Sequence, residues 1–249
     1  MTSGHDRTAA GATRRTATAP RSAAGAQRGK SAILPRLPDH LSKPLFAGAE
    51  PRRLEAGEIL FAAGDSGDGC YRLERGLLKV VISSPQGDER ILAILGPGAI
   101  AGELAVIDGR PRSASVVAVR PCRLSFVSHA LFEHCTREHP DIYRYLVNVL
   151  AARLREADDA LAATSFMTVK ARLARTLLDL GDLLGETDDT GQIVIRHKIH
   201  QDDLAAMAGV ARENVSRAIS DWTRRKVVSR SAGCYCLSDT AALRQSVES

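Results

Sequence analysis

Between Leu45 and Val127 the apolar residues fall in short runs separated by turn formers. The breaks are Ala56-Gly57, Gly64-Asp65-Ser66-Gly67, Arg75-Gly76, Pro85-Gln86-Gly87-Asp88, Gly96-Pro97-Gly98 and Arg120-Pro121. About eight strands at near-regular spacing predict an antiparallel roll or barrel. Beyond Val127 the period lengthens to that of a helix. Residues 129–137 predict a short helix, and a longer one begins after His139-Pro140-Asp141, with Pro140 suited to a first turn, and runs to about Leu161. Along it Leu150, Leu154, Ala157 and Leu161 make a narrow apolar seam between charged neighbours such as Arg153, Arg155, Glu156, Asp158 and Asp159. So narrow a stripe predicts a contact between two such helices rather than packing on the chain's own roll. Residues 167–184 form a further amphipathic helix, Gly185 to Gly191 a polar turn, and Ile193-Val194-Ile195 a short strand.

The last third carries a different pattern. From His200 to Lys226 the apolar positions Leu204, Ala205, Ala208, Val210, Val215 and Ile219 fit a short helix, a turn through Gly209 and a second helix. This is helix-turn-helix spacing, with small Ala205 where the helices cross closely. Residues 226–237 read as a two-stranded wing, and Trp222, the only tryptophan, as a core anchor. The division expected is a tail over 1–30, a roll over 31–138, a dimerisation helix over 139–165 and a winged helix-turn-helix over 166–249, an α+β chain overall.

Composition changes this picture in three places. At 249 residues there is room for two cores. The formal charge of +5 resides in the tail, where Arg7, Arg14, Arg15, Arg21, Arg28 and Lys30 face only Asp6. The folded body is therefore neutral in sum, and its net charge is no argument for nucleic-acid binding. Residues 1–30 lack large apolar side chains and are expected to be disordered. Five dispersed cysteines (Cys70, Cys122, Cys135, Cys234, Cys236) argue against a secreted disulfide framework and fit the cytoplasm. Cys234 and Cys236 read as strand residues on one face. No apolar run approaches a membrane span. No metal-ligand cluster or nucleophile–base pairing stands out, so neither a metal nor an enzyme activity is expected.

The most informative stretch is Gly102-Glu103-Leu104-Ala105, followed by Arg112-Ser113-Ala114. N–H donors at the start of a helical turn would face an anion. Arg112 can neutralise a phosphate with a fork of donors, Ser113 adds a hydroxyl, and Glu103 can accept from a ribose hydroxyl. The two half-motifs together resemble the phosphate-binding cassette of cyclic-nucleotide-binding domains, and the whole of residues 40–237 resembles the cyclic AMP receptor protein/FNR (Crp/Fnr) family of bacterial regulators. The resemblance implies a cyclic nucleotide effector, cyclic AMP by default. In the cyclic AMP receptor protein branch a threonine–serine pair on the long helix contacts the adenine. Counted from Pro140-Asp141, Ala157 and Asp158 take those places here. Asp158 could accept from the N1–H and 2-amino donors of guanine, so cyclic GMP competes. The first 69 residues contain no cysteine, which removes the thiolates an FNR-type iron–sulfur sensor requires.

The second helix of the helix-turn-helix opens Arg212-Glu213-Asn214-Val215-Ser216-Arg217. At 100° per residue Glu213 and Arg217 share a face and Val215 turns to the core. Arginine can pair with guanine and a carboxylate can accept from cytosine in the major groove. The pattern is similar to the recognition helix of the cyclic AMP receptor protein branch. That likeness implies double-stranded DNA as partner, a palindrome of TGTGA-like half-sites read by Arg212, Glu213 and Arg217, with Asn214, Ser216, Lys198 and His200 on phosphates. It also implies a homodimer and contact with RNA polymerase. Two alternatives remain open at this point: a nucleotide sensor acting on a partner protein, and a DNA binder that needs no ligand.

Overall fold

The structure, a computed structural model, describes Met1 and residues 37–248. The expectation of a disordered tail over residues 1–30 lies outside the described residues, Met1 apart.

The chain enters through α1 (Asp39–Phe46), whose Leu41, Leu45 and Phe46 are buried. The roll follows: β1 (Glu50–Leu54), β2 (Ile59–Phe61), β3 (Gly69–Ser83), β4 (Glu89–Leu95) and β5 (Ile100–Ala101), then α2 (Glu103–Asp108) and β6 (Ser115–Ser128). All pairings are antiparallel, and the central path runs β1-β6-β3-β4, with β2 added to β6 and β5 to β3. Two strands are far longer than expected. Arg75-Gly76 and Arg120-Pro121 do not end strands; they are facing irregularities inside β3 and β6, where the register slips between Leu73 and Leu78. Gly76 takes φ 110°, and a Cβ there would run into Cys122 and the carbonyl of Pro121. A bulge needs the same backbone freedom as a turn, so the local signal was the same. The result is six strands rather than about eight.

Inside the roll Tyr71, Leu73, Leu78, Leu95, Val116 and Leu124 form one core. A second, at its closed end, joins α1 to α3 (His129–Glu138) and to the start of α4 (Asp141–Phe166) through Phe132, Ile142 and Leu146. Ser128 caps α3 by accepting from Leu131 N–H. Only the first turns of α4 are buried. Beyond Leu150, itself half-buried, its apolar seam is bare, with Leu154 at 64% and Leu161 at 68% exposure.

Thr168 caps α5 (Val169–Leu184), accepting from Ala171 N–H. The expected polar turn after it instead begins as a strand: β7 (Gly185–Thr187) pairs with β8 (Ile193–Ile195) around a turn built on Asp188. Next come α6 (Gln201–Ala208), α7 (Arg212–Arg224), β9 (Val228–Ser231), β10 (Cys234–Leu237) and α8 (Thr240–Glu248). The second sheet is ordered β7-β8-β10-β9. Trp222, Val215, Leu204, Tyr235 and Leu243 meet in the core of this unit, as expected for the tryptophan. The two units also touch. Leu77, Val81, Ile91 and Ile94 of the roll pack with Leu183, Leu184, Ala206 and Met207.

Candidate nucleotide cleft and DNA-reading helix

Six of the eight residues expected to bind the nucleotide are brought together. Gly102, Glu103, Leu104, Ala105, Arg112 and Ser113 line one cleft, whose apolar wall includes Phe61, Val80, Leu95 and Val116. Gly102 takes φ 83° to start α2, no side chain caps that helix, and a Cβ at 102 would strike the guanidinium of Arg112. Glycine is required there by both conformation and space.

Arg112 is buried, at 4% exposure. Its Nη1 donates to the Gly102 carbonyl at 2.7 Å, its Nη2 to Asp68 Oδ1 at 2.7 Å, and the guanidinium lies 4.3 Å from the centroid of Phe61. Its Nε is buried without a partner among the described residues. The cation is thus held rigidly at the mouth of an uncapped helix, the arrangement an oxyanion needs. Ser113 beside it is exposed.

Glu103 is more enclosed than a residue waiting only for a ribose hydroxyl. It is 1% exposed and paired with Arg153 of α4, which also donates to the Ile100 carbonyl at 3.1 Å. Burial pushes its carboxyl up, against the opposing pull of Arg153, its own backbone N–H and Arg112. Oε2 has no partner among the described residues. The same environment pushes the Cys70 thiol up to about 12, first by burial and then by the charge of Glu103, so this sulfur is inert.

Ala157 and Asp158 do not join the cleft within one chain. Both are exposed on α4. Three cleft participants were not singled out from the sequence: Asp68, Phe61 and Arg153. Arg153 sits one helical turn before Ala157, so the spacing that points to Ala157 also points to it.

At the far end of the chain Gly209 closes the helix-turn-helix in the left-handed conformation, φ 62°. A Cβ there would hit the Arg90 guanidinium of β4, and Arg172 of α5 donates to the Gly209 carbonyl at 3.0 Å. On α7, Val215, Ile219 and Trp222 face inward while Arg212, Glu213, Ser216 and Arg217 are exposed, and Asn214 is half-buried. Arg212 Nε lies 3.3 Å from Asp202, and Arg217 Nη2 donates to Asn214 Oδ1 at 2.5 Å. His200 stands at the N-cap of α6, its N–H donating to Asp203 Oδ2 at 3.3 Å, and exposed Lys198 packs near Gly233 of the wing. All seven residues expected at DNA lie on this unit.

Comparison with known proteins matches the two parts of the chain in which these residues lie. The cyclic nucleotide-binding domain family matches residues 51–139 and the Crp-like helix-turn-helix domain family residues 171–246. The Thermus thermophilus "Cyclic AMP receptor protein" is 33% identical over 215 residues, covering 81% of this chain and 95% of that protein. The chain belongs to the Crp/Fnr family of transcriptional regulators. This regulator is also 30% identical to the Mycobacterium tuberculosis "CRP-like cAMP-activated global transcriptional regulator", over 80% of this chain and 94% of that protein. Among solved structures, a CRP/FNR-family transcriptional regulator of Thermus thermophilus superposes with a TM-score of 0.68 at 27% identity, covering 80% of this chain and 99% of that one. These relatives are transcriptional regulators and not enzymes. Among the described residues no helix is long and apolar enough to cross a membrane.

Proposed function

We propose that the regulator works as a cytoplasmic homodimer that binds a cyclic nucleotide at Arg112 and, in response, reads a palindromic operator of TGTGA-like half-sites through Arg212, Glu213 and Arg217. The observation that carries this reading is the convergence of Arg112, the uncapped start of α2 and Arg153 of α4 on one cleft. The phosphate would sit against Arg112, Ser113 and the first N–H groups of α2; the base would lie along Phe61, Val80 and Leu95. Because Arg153 already ties α4 to Glu103 and Ile100, a ligand that shifts α2 acts directly on the helix whose bare seam would meet its twin. The effect is a population shift toward the arrangement in which two α7 helices enter successive major grooves, about one DNA turn apart. Residues 31–138 are the sensing unit in this scheme, 139–165 the coupling and dimerisation helix, and 166–249 the reading unit, with RNA polymerase as a further partner.

Cyclic AMP is the default ligand, in line with the names of the relatives. Cyclic GMP is favoured by one observation, the carboxylate of Asp158 where a hydroxyl would serve adenine. The test is calorimetric titration of the full chain with each nucleotide, followed by a band shift on the palindrome. Micromolar heat with either, and a shift that strengthens when it is added, support the reading. A folded dimer that gives no heat with either overturns nucleotide control.

A further inference from the structure

Contacts of two kinds fasten the roll to the reading unit of the same chain. The first kind is insensitive to an imidazole. Leu77, Val81, Ile91 and Ile94 pack with Leu183, Leu184, Ala206 and Met207, and Lys79 of β3 lies 3.5 Å from Asp203 of α6, sharing its charge with Glu89 of β4 at 3.4 Å. The second kind depends on one. Arg120 of β6, paired in register with Leu77, directs Nη2 to the Gly76 carbonyl at 3.2 Å and Nη1 to His197 Nε2 at 2.7 Å. His197 belongs to the segment between β8 and α6, just ahead of His200 at the N-cap of α6. The contact thus joins the edge of the apolar patch to the start of the helix-turn-helix.

A guanidinium has donors only, so the ring nitrogen it meets must accept. That fixes His197 as neutral, with its proton on Nδ1. Both residues are half-buried, and His197 Nδ1 and Arg120 Nε are buried without a partner among the described residues. One acceptor lone pair therefore holds the ring to the roll. Protonation turns Nε2 into a second donor and sets two cations against each other at hydrogen-bond distance, which breaks the contact. The charged groups that face the ring from other elements are Arg120 of β6 and Glu186 of β7, and Glu186 is paired with Arg196 at 3.0 Å. Burial first, and the Arg120 charge second, hold His197 below its ordinary value of 6.5, with Glu186 opposing. A ring released from Arg120 returns toward that value, so proton uptake favours the open contact as pH falls through about 6.5.

We infer that the Arg120–His197 contact is an acid-sensitive latch through which the roll steers the reading unit. With the latch closed, a movement of β6 passes to the start of α6 and so to α7. Once it opens, the apolar patch and Lys79 still join the units, and the reading unit pivots on them. A nucleotide in the roll then has less effect on DNA at α7, because the coupling between the two sites loses the latch's share. This consequence rests on the proposed nucleotide control of α7; the latch itself does not.

The test compares the full chain with two variants. His197→Gln keeps an acceptor that cannot be protonated, and Arg120→Met removes the donor. For each, affinity for a TGTGA palindrome is measured with and without cyclic AMP, and again with cyclic GMP, at about pH 7.5 and about pH 5.5. The ratio of the two affinities cancels every effect of pH on DNA binding alone. In the unmodified chain that ratio should fall about threefold to tenfold on acidification, the worth of one hydrogen bond. It should hold at both pH values in His197→Gln and be low at both in Arg120→Met. The same fall in His197→Gln as in the unmodified chain overturns the inference, and so does a full ratio in Arg120→Met at the higher pH. If the chain ignores the palindrome or both nucleotides at either pH, the proposed function has failed and two other readouts decide the latch. The His197 imidazole resonance, assigned by its absence from His197→Gln, should titrate below 6.5 and move toward 6.5 in Arg120→Met. The radius of gyration by X-ray scattering should grow on acidification in the unmodified chain and not in His197→Gln. An ordinary titration in both proteins, or equal radii, overturns the latch.

Discussion

The Asp68 carboxylate meets the Arg112 guanidinium at 2.7 Å, occupying one of the two terminal nitrogens that a phosphate would use. The other is committed to the Gly102 carbonyl. A ligand anion that pairs with the guanidinium through Nη2 competes with Asp68, and the carboxylate, with its side chain 62% exposed, can swing out to solvent when it does. Asp68→Asn should raise nucleotide affinity about threefold to tenfold, the worth of about 1 kcal/mol of lost competition at a partly exposed pair. Calorimetry checks this. A lower affinity would instead make Asp68 the residue that aims Arg112.

The Arg153–Glu103 pair predicts a different behaviour, because Glu103 is enclosed on all sides. Arg153→Met leaves a buried carboxylate uncompensated and should destabilise the roll by about 3–5 kcal/mol at neutral pH. Glu103 titrates above its ordinary value in the fold, so its stabilisation is full below the unfolded value and is lost as pH rises. Without Arg153 the shift grows, and the deficit should shrink as the solution is acidified. Urea denaturation across pH reads this directly, and the double variant Glu103→Gln, Arg153→Met should recover most of the loss. A deficit independent of pH would assign Arg153 a packing role only.

How much of this was legible in the chain depends on how local each signal is. Arg112 and Ser113 follow Gly102-Glu103 within one motif, and Gly209 announces its own left-handed turn. Their partners are remote. Asp68 reaches Arg112 from 44 positions away and Arg153 reaches Glu103 from 50, contacts created by the roll and by the middle of α4. The same holds for Gly76, where turn and bulge share one backbone requirement and only its packing against Pro121-Cys122 of β6 decides between them. The helix α8 is short and polar, with Leu243 alone fully buried, and carries too little periodicity to be read without the α5 surface it covers.

Asp179 on α5 gives a second pH signature. Burial lifts its carboxyl from 3.8 to about 6, with Asp182 and Glu156 adding to the rise and Arg175, 3.9 Å away, opposing it. Since the folded value lies above the unfolded one, this group stabilises the protein below about pH 4, and its contribution disappears as pH rises through about 6. Asp179→Asn removes the dependence. Its thermal midpoint should exceed that of the unmodified chain at pH 7.5 and converge with it near pH 4; parallel curves would show that Asp179 titrates normally.

Arg212 is the residue on which sequence reading should turn. It is about two-thirds exposed, and its contact with Asp202 at 3.3 Å is a surface pair of small worth, so Arg212→Ala should leave the thermal midpoint unchanged. What it removes is a forked donor able to pair with guanine, worth about 1–3 kcal/mol of discrimination. Preference for the palindrome over scrambled DNA should therefore fall by about one to two orders of magnitude, while weak, salt-sensitive binding persists. Lys198→Ala provides the contrast, because a phosphate contact lowers affinity for every sequence alike. Competition band shifts with cognate and scrambled duplexes separate the two. If Arg212→Ala keeps full discrimination, Glu213 and Arg217 carry the reading without it.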